Sequence, residues 1–270
     1  MSSTYTLEAT RSDVGTLDGA YWILRVSTAA IFIGHGAFGF ITKAAWLPYF
    51  AVVGVPASWA WRLMPIIGSF DVLAAMAVLF APRGLPLVYM TVWAAWTALL
   101  RPLAGESIWE AVERAGNYGV PLAFMMLTQM PRSLRDLFRL RSTPHVGAQS
   151  ITRVIQILRW TSAALLFGHG ALAAVVGKPI YAAHFAAIGF PERIVTPIGM
   201  IEMVLAFAIL LRPSITLLLM VGAWKVATES LWAVSGAPVW EVVERGGSYG
   251  APLALALLLA WQSRHEAENQ

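Results

Sequence analysis

The chain has 270 residues, of which 58% are hydrophobic and 13% are charged, and its formal net charge is +4. A soluble domain carries roughly 45–50% apolar and about 25% charged residues, so this composition indicates a membrane protein with several spans. The chain contains no cysteine, which excludes disulfide exchange, thiolate metal sites, iron–sulfur clusters and thiol catalysis.

The first twenty residues are polar and lack the short apolar core of a signal peptide, so they are predicted to form a loose cytoplasmic tail. Eight apolar segments follow, each close to the roughly 20 residues that a helix needs to cross a bilayer. Backbone groups in a bilayer have no water to bond with, so these segments are predicted to be helices. They run over residues 21–41, 64–81, 85–103, 107–130, 154–176, 197–211, 215–234 and 238–261.

The second half of the sequence repeats the first. Eleven of the fifteen positions in WEAVERAGNYGVPLA (109–123) are identical in WEVVERGGSYGAPLA (240–254), and IGHGA (33–37) returns as FGHGA (167–171). A repeat of this kind indicates a duplicated structural unit. We therefore predict an all-α, polytopic membrane protein with eight transmembrane helices in two pseudo-symmetric four-helix repeats. The corresponding segments FAVVGVP and FAAIGFP are predicted to be short helices at the membrane interface.

The segment PRSLRDLFRLRSTPHVGAQSITR joins the two halves and carries five arginines and one aspartate. Cytoplasmic loops are enriched in arginine and lysine, so this linker and both termini are predicted to be cytoplasmic, in a bacterial plasma membrane. Because the basic residues concentrate there, the positive net charge does not indicate nucleic-acid binding. The predicted divisions are a tail 1–20, a first repeat 21–131, the linker 132–153, a second repeat 154–262 and a tail 263–270.

Polar side chains are predicted to gather at one depth of the membrane. With a rise of about 1.5 Å per residue, they lie roughly 10 Å below the outer surface. The first half contributes His35, Asp71, Trp96 and Glu113. The second half contributes His169, Glu202 and Glu244.

The repeated motif W-E-x-V-E-R adds further charges to this layer. Its first glutamate and its arginine are four residues apart on one helix face, so Arg114 is predicted to position Glu110, and Arg245 to position Glu241. The layer then holds six carboxylates against two arginines, and each unpaired charge costs at least about 2.5–3.5 kcal/mol at depth. This excess predicts a site for protons, a cation or a ligand. The tyrosines further down the helix are predicted to donate hydrogen bonds to the ligand: Tyr118 and Tyr249.

Several other residues are interpreted as structural. Two lysines that follow the GHG helices are predicted to snorkel to the interface: Lys43 and Lys178. Three tryptophans fit an aromatic belt: Trp46, Trp59 and Trp61. Two prolines are predicted to bend the last helix of each half: Pro121 and Pro252. Two charged residues occur only in the second half, in place of Ala94 and Ala98, and mark either a specialised half or one extra ion pair: Lys225 and Glu229.

The segments LRVSTAAIFIGHGAFGFITK and YAAHFAAIGFPERIVTPIGMIEMVLAFAILL resemble the first two helices of DoxX-like membrane proteins. The resemblance implies a four-helix bundle linked to electron transfer, since such relatives include the membrane subunit of a thiosulfate:quinone oxidoreductase. Family members usually have one four-helix unit, whereas this chain has two. The residues that match are Arg25, Gly34, His35, Gly36, Lys43, Gly54, Pro56, Gly68 and Asp71, and Arg159, Gly168, His169, Gly170, Lys178, Gly189, Pro191, Gly199 and Glu202.

Four functions remain open from the sequence, the fourth and simplest being an assembly factor whose polar layer only fixes helix packing. The first is a DoxX-like redox subunit that binds a quinone or similar ligand at the histidine and carboxylate layer and works with a redox partner protein. The second is a haem- or divalent-metal-binding protein that uses the paired histidines. Its metal ligands would be His35, His169, Glu113 and Glu244. The third is a transporter or receptor for a small polar or cationic molecule.

Overall fold

The structure is a computed structural model that describes residues 11–140 and 148–268 of the chain. Over those two ranges the backbone is almost entirely helical, which confirms the all-α prediction, and its β-type pairing is one isolated bridge between Arg83 and Leu140. The helices are numbered α1 to α13 in chain order. Those before the gap are α1 (Arg11–Ile41), α2 (Leu47–Val52), α3 (Ala57–Phe80), α4 (Gly84–Leu103), α5 (Ile108–Glu113), α6 (Ala115–Leu127) and α7 (Leu134–Phe138). Those after it are α8 (Ala148–Ala174), α9 (Pro179–Ala186), α10 (Val195–Leu211), α11 (Ile215–Val234), α12 (Trp240–Glu244) and α13 (Gly246–Glu268).

Several of these helices are compatible with an integral membrane protein. Four are long and apolar enough to cross a bilayer: Gly15–Ile41, Ala57–Phe80, Glu192–Leu211 and Ile215–Val234. A fifth span results if Ser150–Ala174 and Pro179–Ala186, which meet at an angle of 89°, are taken together. The eight spans predicted from the sequence therefore exceed the four or five that length and composition support within the described residues.

The predicted boundaries differ from the observed ones where helices run past their apolar parts. Helix α1 begins at Arg11, inside the predicted tail, and residues 1–10 of that tail lie outside the described residues. The predicted linker contains α7 and the first turns of α8, while residues 141–147 are likewise outside the description. Helix α13 continues through most of the predicted C-terminal tail. Polar residues before or after an apolar segment can continue its helix, because most of them have a helix propensity only slightly below that of alanine.

The last predicted helix of each half is broken, but at its arginine and not at its proline. The backbone leaves helical geometry at Arg114 (φ −82°, ψ 12°) between α5 and α6, and at Arg245 (φ −87°, ψ 16°) between α12 and α13. Each guanidinium donates from Nη1 to a carbonyl at the end of the short helix, over 3.0 Å to Glu110 and 2.9 Å to Glu241. The arginines thus satisfy carbonyls that the break exposes. The prolines lie inside α6 and α13.

The two halves of the sequence interlock. Helix α1 packs against α3 of its own half and against α12 and α13 of the other, and α8 packs in the corresponding way against α10, α5 and α6. Glycines allow the closest approaches, since a Cβ on Gly34 would overlap the backbone nitrogen of Glu244, and one on Gly168 would overlap that of Glu113. Small residues of this kind permit tight helix packing without a hydrophobic driving force. Each GHG helix is therefore held against the W-E-x-V-E-R segment of the opposite half.

The short helices predicted over residues 50–56 and 185–191 lie earlier in the chain, as α2 and α9, which include only the first three and the first two residues of those segments. Both precede a glycine with positive φ, at Gly54 (+74°) and Gly189 (+83°). A left-handed backbone suits glycine and turns the chain toward the next helix. Aromatic residues of these connections lie over the histidines, since Trp46, just before α2, stacks on His35 and Tyr181 of α9 meets His169 edge-on.

The close contact at Gly34 generates a stability prediction. Gly34→Ala is expected to destabilise the protein by about 1–3 kcal/mol, because the new methyl group has no space and α1 must shift. Gly15→Ala is the matched control, since a Cβ there meets nothing within 4 Å. Thermal unfolding of both variants in mild detergent should show a lower Tm for Gly34→Ala only. Equal melting of the two variants would contradict the interlocked packing.

Candidate functional site

The first histidine cluster consists of His35, Asp71, Tyr89 and Trp46. Nδ1 of His35 lies 2.7 Å from Oδ2 of Asp71, and the hydroxyl of Tyr89 donates to Oδ1 of the same carboxylate over 2.8 Å. The ring of Trp46 stacks on the imidazole, with 4.5 Å between ring centres. Asp71 is completely buried. The carboxylate and the tryptophan therefore fix the orientation of the imidazole, which leaves Nε2 as the ring nitrogen available to a ligand.

The second histidine cluster consists of His169, Glu202, Trp224 and Tyr181. Nδ1 of His169 lies 2.5 Å from Oε2 of Glu202, and Nε1 of Trp224 donates to Oε1 over 2.8 Å. The ring of Tyr181 meets the imidazole edge-on, with centres 4.6 Å apart. Each predicted histidine is thus paired with the predicted acid of its own half. Trp46 was predicted to belong to an aromatic belt, and this prediction is wrong because the residue is buried on His35.

Two ion pairs join the halves of the chain. Nζ of Lys43 lies 2.6 Å from Oε1 of Glu241, and Lys178 forms the corresponding bond with Glu110. The two lysines were predicted to snorkel toward the interface, and the structure gives each of them a carboxylate partner in the opposite half. Each one follows a GHG helix that packs against the other half, so its ammonium group reaches a buried carboxylate there. The predicted pairing of each glutamate with the arginine four residues later is present as well, at 3.0 Å for Arg114 and 2.5 Å for Arg245.

Two further acids also have cationic neighbours, whereas Glu244 of the predicted layer forms no ion pair among the described residues. Glu113 lies 2.7 Å from Nη1 of Arg114. Glu229 lies 2.8 Å from Lys225 and 3.1 Å from Nε of Arg245. Most of the carboxylates that were predicted to be in excess therefore have a cationic partner. The prediction from the sequence took only the two arginines as cations, so it overestimated the excess. The additional cations that the structure brings to these carboxylates are Lys43, Lys178, Arg101 and Lys225.

A set of polar contacts among Tyr49, Glu106 and Arg101 was not predicted from the sequence. Tyr49 of α2 donates its hydroxyl to Glu106 and accepts from Nη1 of Arg101 over 2.8 Å. Arg101 lies 3.4 Å from Glu106 and 3.8 Å from Glu110. Burial raises the pKa of Tyr49 to about 12, with the Glu106 carboxylate adding to the shift and Arg101 opposing it. In the second half, Trp232 and His184 stand at the positions of Arg101 and Tyr49. The repeated motifs therefore did not identify these two residues as candidates for the site.

A cavity of about 110 Å³ opens beside the first cluster. His35 forms part of its wall, together with aromatic, cationic and acidic side chains. The other polar and aromatic residues of the wall are Trp46, Tyr49, Phe50, Trp93, Trp96, Arg101, Arg114, Asn117 and Glu244. The cavity thus brings together the first histidine cluster and the W-E-x-V-E-R segments of both halves.

Two hydrogen-bond donors at this wall have no partner among the residues that the structure describes. They are Nε1 of Trp93 and Nε of Arg101, and both atoms are shielded from solvent. The corresponding tryptophan of the second half, Trp224, donates to Glu202. A buried donor without an acceptor costs about 1–3 kcal/mol, so a ligand with acceptor oxygens would stabilise this wall if either side chain turned toward the cavity.

The other predicted site residues divide between the cavity and the helix core. Trp96 and Glu244 line the cavity. Tyr118 instead packs against the apolar core, and the hydroxyl of Tyr249 donates to the carbonyl of Val242 over 3.2 Å. The two tyrosines are thus not placed as ligand donors, because they lie on the part of α6 and α13 that the helices pack together.

The geometry gives no support to a metal centre. Within residues 11–140 and 148–268, no group of three or more histidine, aspartate and glutamate side chains is arranged to hold a metal ion. The physical reason is that each histidine already has one carboxylate on Nδ1, and Glu113 is bonded to Arg114. The predicted metal ligands His35, His169, Glu113 and Glu244 are therefore not assembled as such. Comparison with protein-family models, curated proteins and solved structures finds no match to this chain.

The ion pair between the halves generates a second prediction. Lys43→Met is expected to destabilise the protein by about 1–3 kcal/mol, since it leaves the buried Glu241 with one cationic partner fewer. Arg193→Met, at an exposed arginine, is the control and should have little effect. Thermal unfolding of Lys43→Met, Glu241→Gln and the double variant forms a double-mutant cycle. A coupling free energy near zero would contradict a direct bond.

The raised pKa of Tyr49 generates a third prediction. The unfolded phenol ionises near pH 10, whereas the folded one keeps its proton until about pH 12. The stabilisation is complete below the unfolded value and is lost as the pH rises through the folded value. Between pH 8 and pH 11 the Tm of the unchanged protein should therefore fall more than that of Tyr49→Phe. An equal fall in both proteins would show that Tyr49 is solvated.

Proposed function

We propose that this chain is a DoxX-like integral membrane protein that binds a quinone or a similar headgroup in the cavity beside His35. In this proposal eight helices cross the membrane as two pseudo-symmetric four-helix repeats. The cavity lies in the outer half of a bacterial plasma membrane, and both termini are cytoplasmic. The observation that carries the proposal is the cavity in which an oriented histidine stands beside two donors that lack acceptors.

The repeat organisation draws support from corresponding contacts in the two halves. His35 and Asp71 in α1 and α3 have the same relation as His169 and Glu202 in α8 and α10. The helices with candidate spans also correspond, since Ala57–Phe80 matches Glu192–Leu211. The α4, α6 and α13 segments would complete the eight spans while buried partly by neighbouring helices and not only by lipid.

A quinone headgroup fits the chemistry of the cavity wall. Its two carbonyl oxygens are acceptors, and Nε1 of Trp93 and Nε of Arg101 are donors without partners among the described residues. The flat ring suits a wall that contains Trp46 and Trp96. Aromatic walls with a few placed polar groups are typical of small-molecule sites.

Protons that accompany quinone chemistry would pass through the first cluster. Asp71 bonds to Nδ1 of His35, so the ring can hold a proton on Nε2 and exchange it with a ligand oxygen. Glu244 is a second acid at the same wall. The chain has no cysteine to carry electrons, so the proposal requires a redox partner protein or a bound cofactor as their source.

A small polar or cationic solute is a second candidate ligand. The observation that favours it is the charged part of the wall, where Glu244 and Arg114 face the same cavity. Under this alternative the protein is a transporter or receptor, and uptake of solutes by proteoliposomes would detect it. The haem alternative predicts a visible absorption band in the purified protein.

The proposal is tested by titrating the protein in mild detergent with a short-chain ubiquinone analogue. His35→Ala is expected to weaken binding about tenfold to a hundredfold, because it removes a hydrogen bond worth about 1.5–3 kcal/mol when charged. His169→Ala is the matched control, since this histidine occupies the equivalent position in the other half, and it should leave binding within about twofold. Calorimetry measures both affinities. Absence of binding to the unchanged protein, or equal loss in the two variants, would contradict the proposal.

A further inference from the structure

The two halves of the chain differ at two corresponding positions of α4 and α11. Lys225 and Glu229 in α11 correspond to Ala94 and Ala98 in α4, at the same separation of 131 residues that relates Glu113 to Glu244. Lys225 and Glu229 are each 1% exposed. Two alanines in one half are thus replaced by a fully buried ion pair in the other.

The partners of this ion pair correspond to residues of the cavity wall. Nζ of Lys225 lies 2.8 Å from Oε1 of Glu229, whose other oxygen lies 3.1 Å from Nε of Arg245. The counterpart of Arg245 is Arg114, which lines the cavity. The ion pair therefore lies beside the arginine whose counterpart lines the cavity. Ala94 and Ala98 themselves are buried and are not part of the cavity wall, but they adjoin its residues Trp93 and Thr97 in α4.

An aromatic side chain closes the same region from the other side. Trp232, the counterpart of Arg101, lies with its ring centre 4.1 Å from the guanidinium carbon of Arg245. His184, the counterpart of Tyr49, packs against Trp232 with 4.6 Å between ring centres. In the first half the corresponding Arg101 and Tyr49 stand at the cavity wall. The second half has thus satisfied its buried arginine internally, through an acid and an aromatic ring.

We propose that the Lys225–Glu229 ion pair is a built-in plug that closes the second site, so that the protein binds one ligand per chain. Ala94 and Ala98 are then the positions that keep the first site open. The plug stabilises the second half with one positive and one negative charge, in the place where the first half receives the polar atoms of its ligand. This inference rests on the proposed function, because it assigns the ligand to the cavity beside His35.

The ion pair can be introduced into the first half by substitution. The double variant Ala94→Lys/Ala98→Glu introduces the ion pair beside Arg114 and Glu244 without changing the net charge. The second half shows that such a pair packs beside the equivalent arginine, and thermal unfolding of the variant in detergent checks that it folds. It should bind the ubiquinone analogue at least tenfold more weakly, measured by calorimetry in detergent. Binding at the unchanged affinity would overturn the inference.

The reverse variant keeps the test decisive if the first one fails to fold. Lys225→Ala/Glu229→Ala removes the plug, and the number of ligands bound at saturation should rise from one to two per chain. Saturation at one ligand would overturn the inference. The two proposals fail in different ways, since an unchanged protein that binds no quinone contradicts the proposed function. An unchanged protein that binds one, with both double variants behaving identically to it, contradicts the plug alone.

Discussion

Buried charge is the constraint on which the rest of this structure depends. Glu110 and Glu241 are nearly buried, and such carboxylates remain ionised only beside cations. Each receives an arginine from its own helix break and a lysine from the opposite half. A lysine can reach that position only if the GHG helix packs against the other half. The ion pairs and the interlocked helices are therefore one requirement, because Glu110 and Glu241 each bond to cations from both halves.

Broken helices make these bonds possible. Arg114 and Arg245 stand where the backbone leaves helical geometry, so each guanidinium can bond to a carbonyl and to a carboxylate together. The glycines of the GHG helices then bring α1 and α8 against the backbone of the short helices. The result is a rigid polar layer held on four helix ends. Rigid positioning of this kind is what a ligand site requires if its donors are to keep their geometry.

Difference between the halves, and not their likeness, points to function. The same frame of histidine, acid and arginine is filled internally by Lys225, Glu229 and Trp232 in the second half. In the first half it surrounds a cavity. A duplicated unit can keep one copy for packing once the other copy holds the ligand, because both copies share the same stabilising ion pairs.

The sequence by itself determined the helical class, the repetition and the residues that carry charge, because these depend on hydropathy and on motifs within one segment. It also indicated that His35 would stand at the depth of Asp71, since a helix has a constant rise. Only the tertiary structure decided that Lys43 pairs with Glu241, that Trp46 covers His35, and that most of the predicted acidic layer has cationic partners. These contacts depend on which helices of the two halves are neighbours. The rise per residue predicts how far along its helix a side chain lies, but it does not predict which other helix packs against that position.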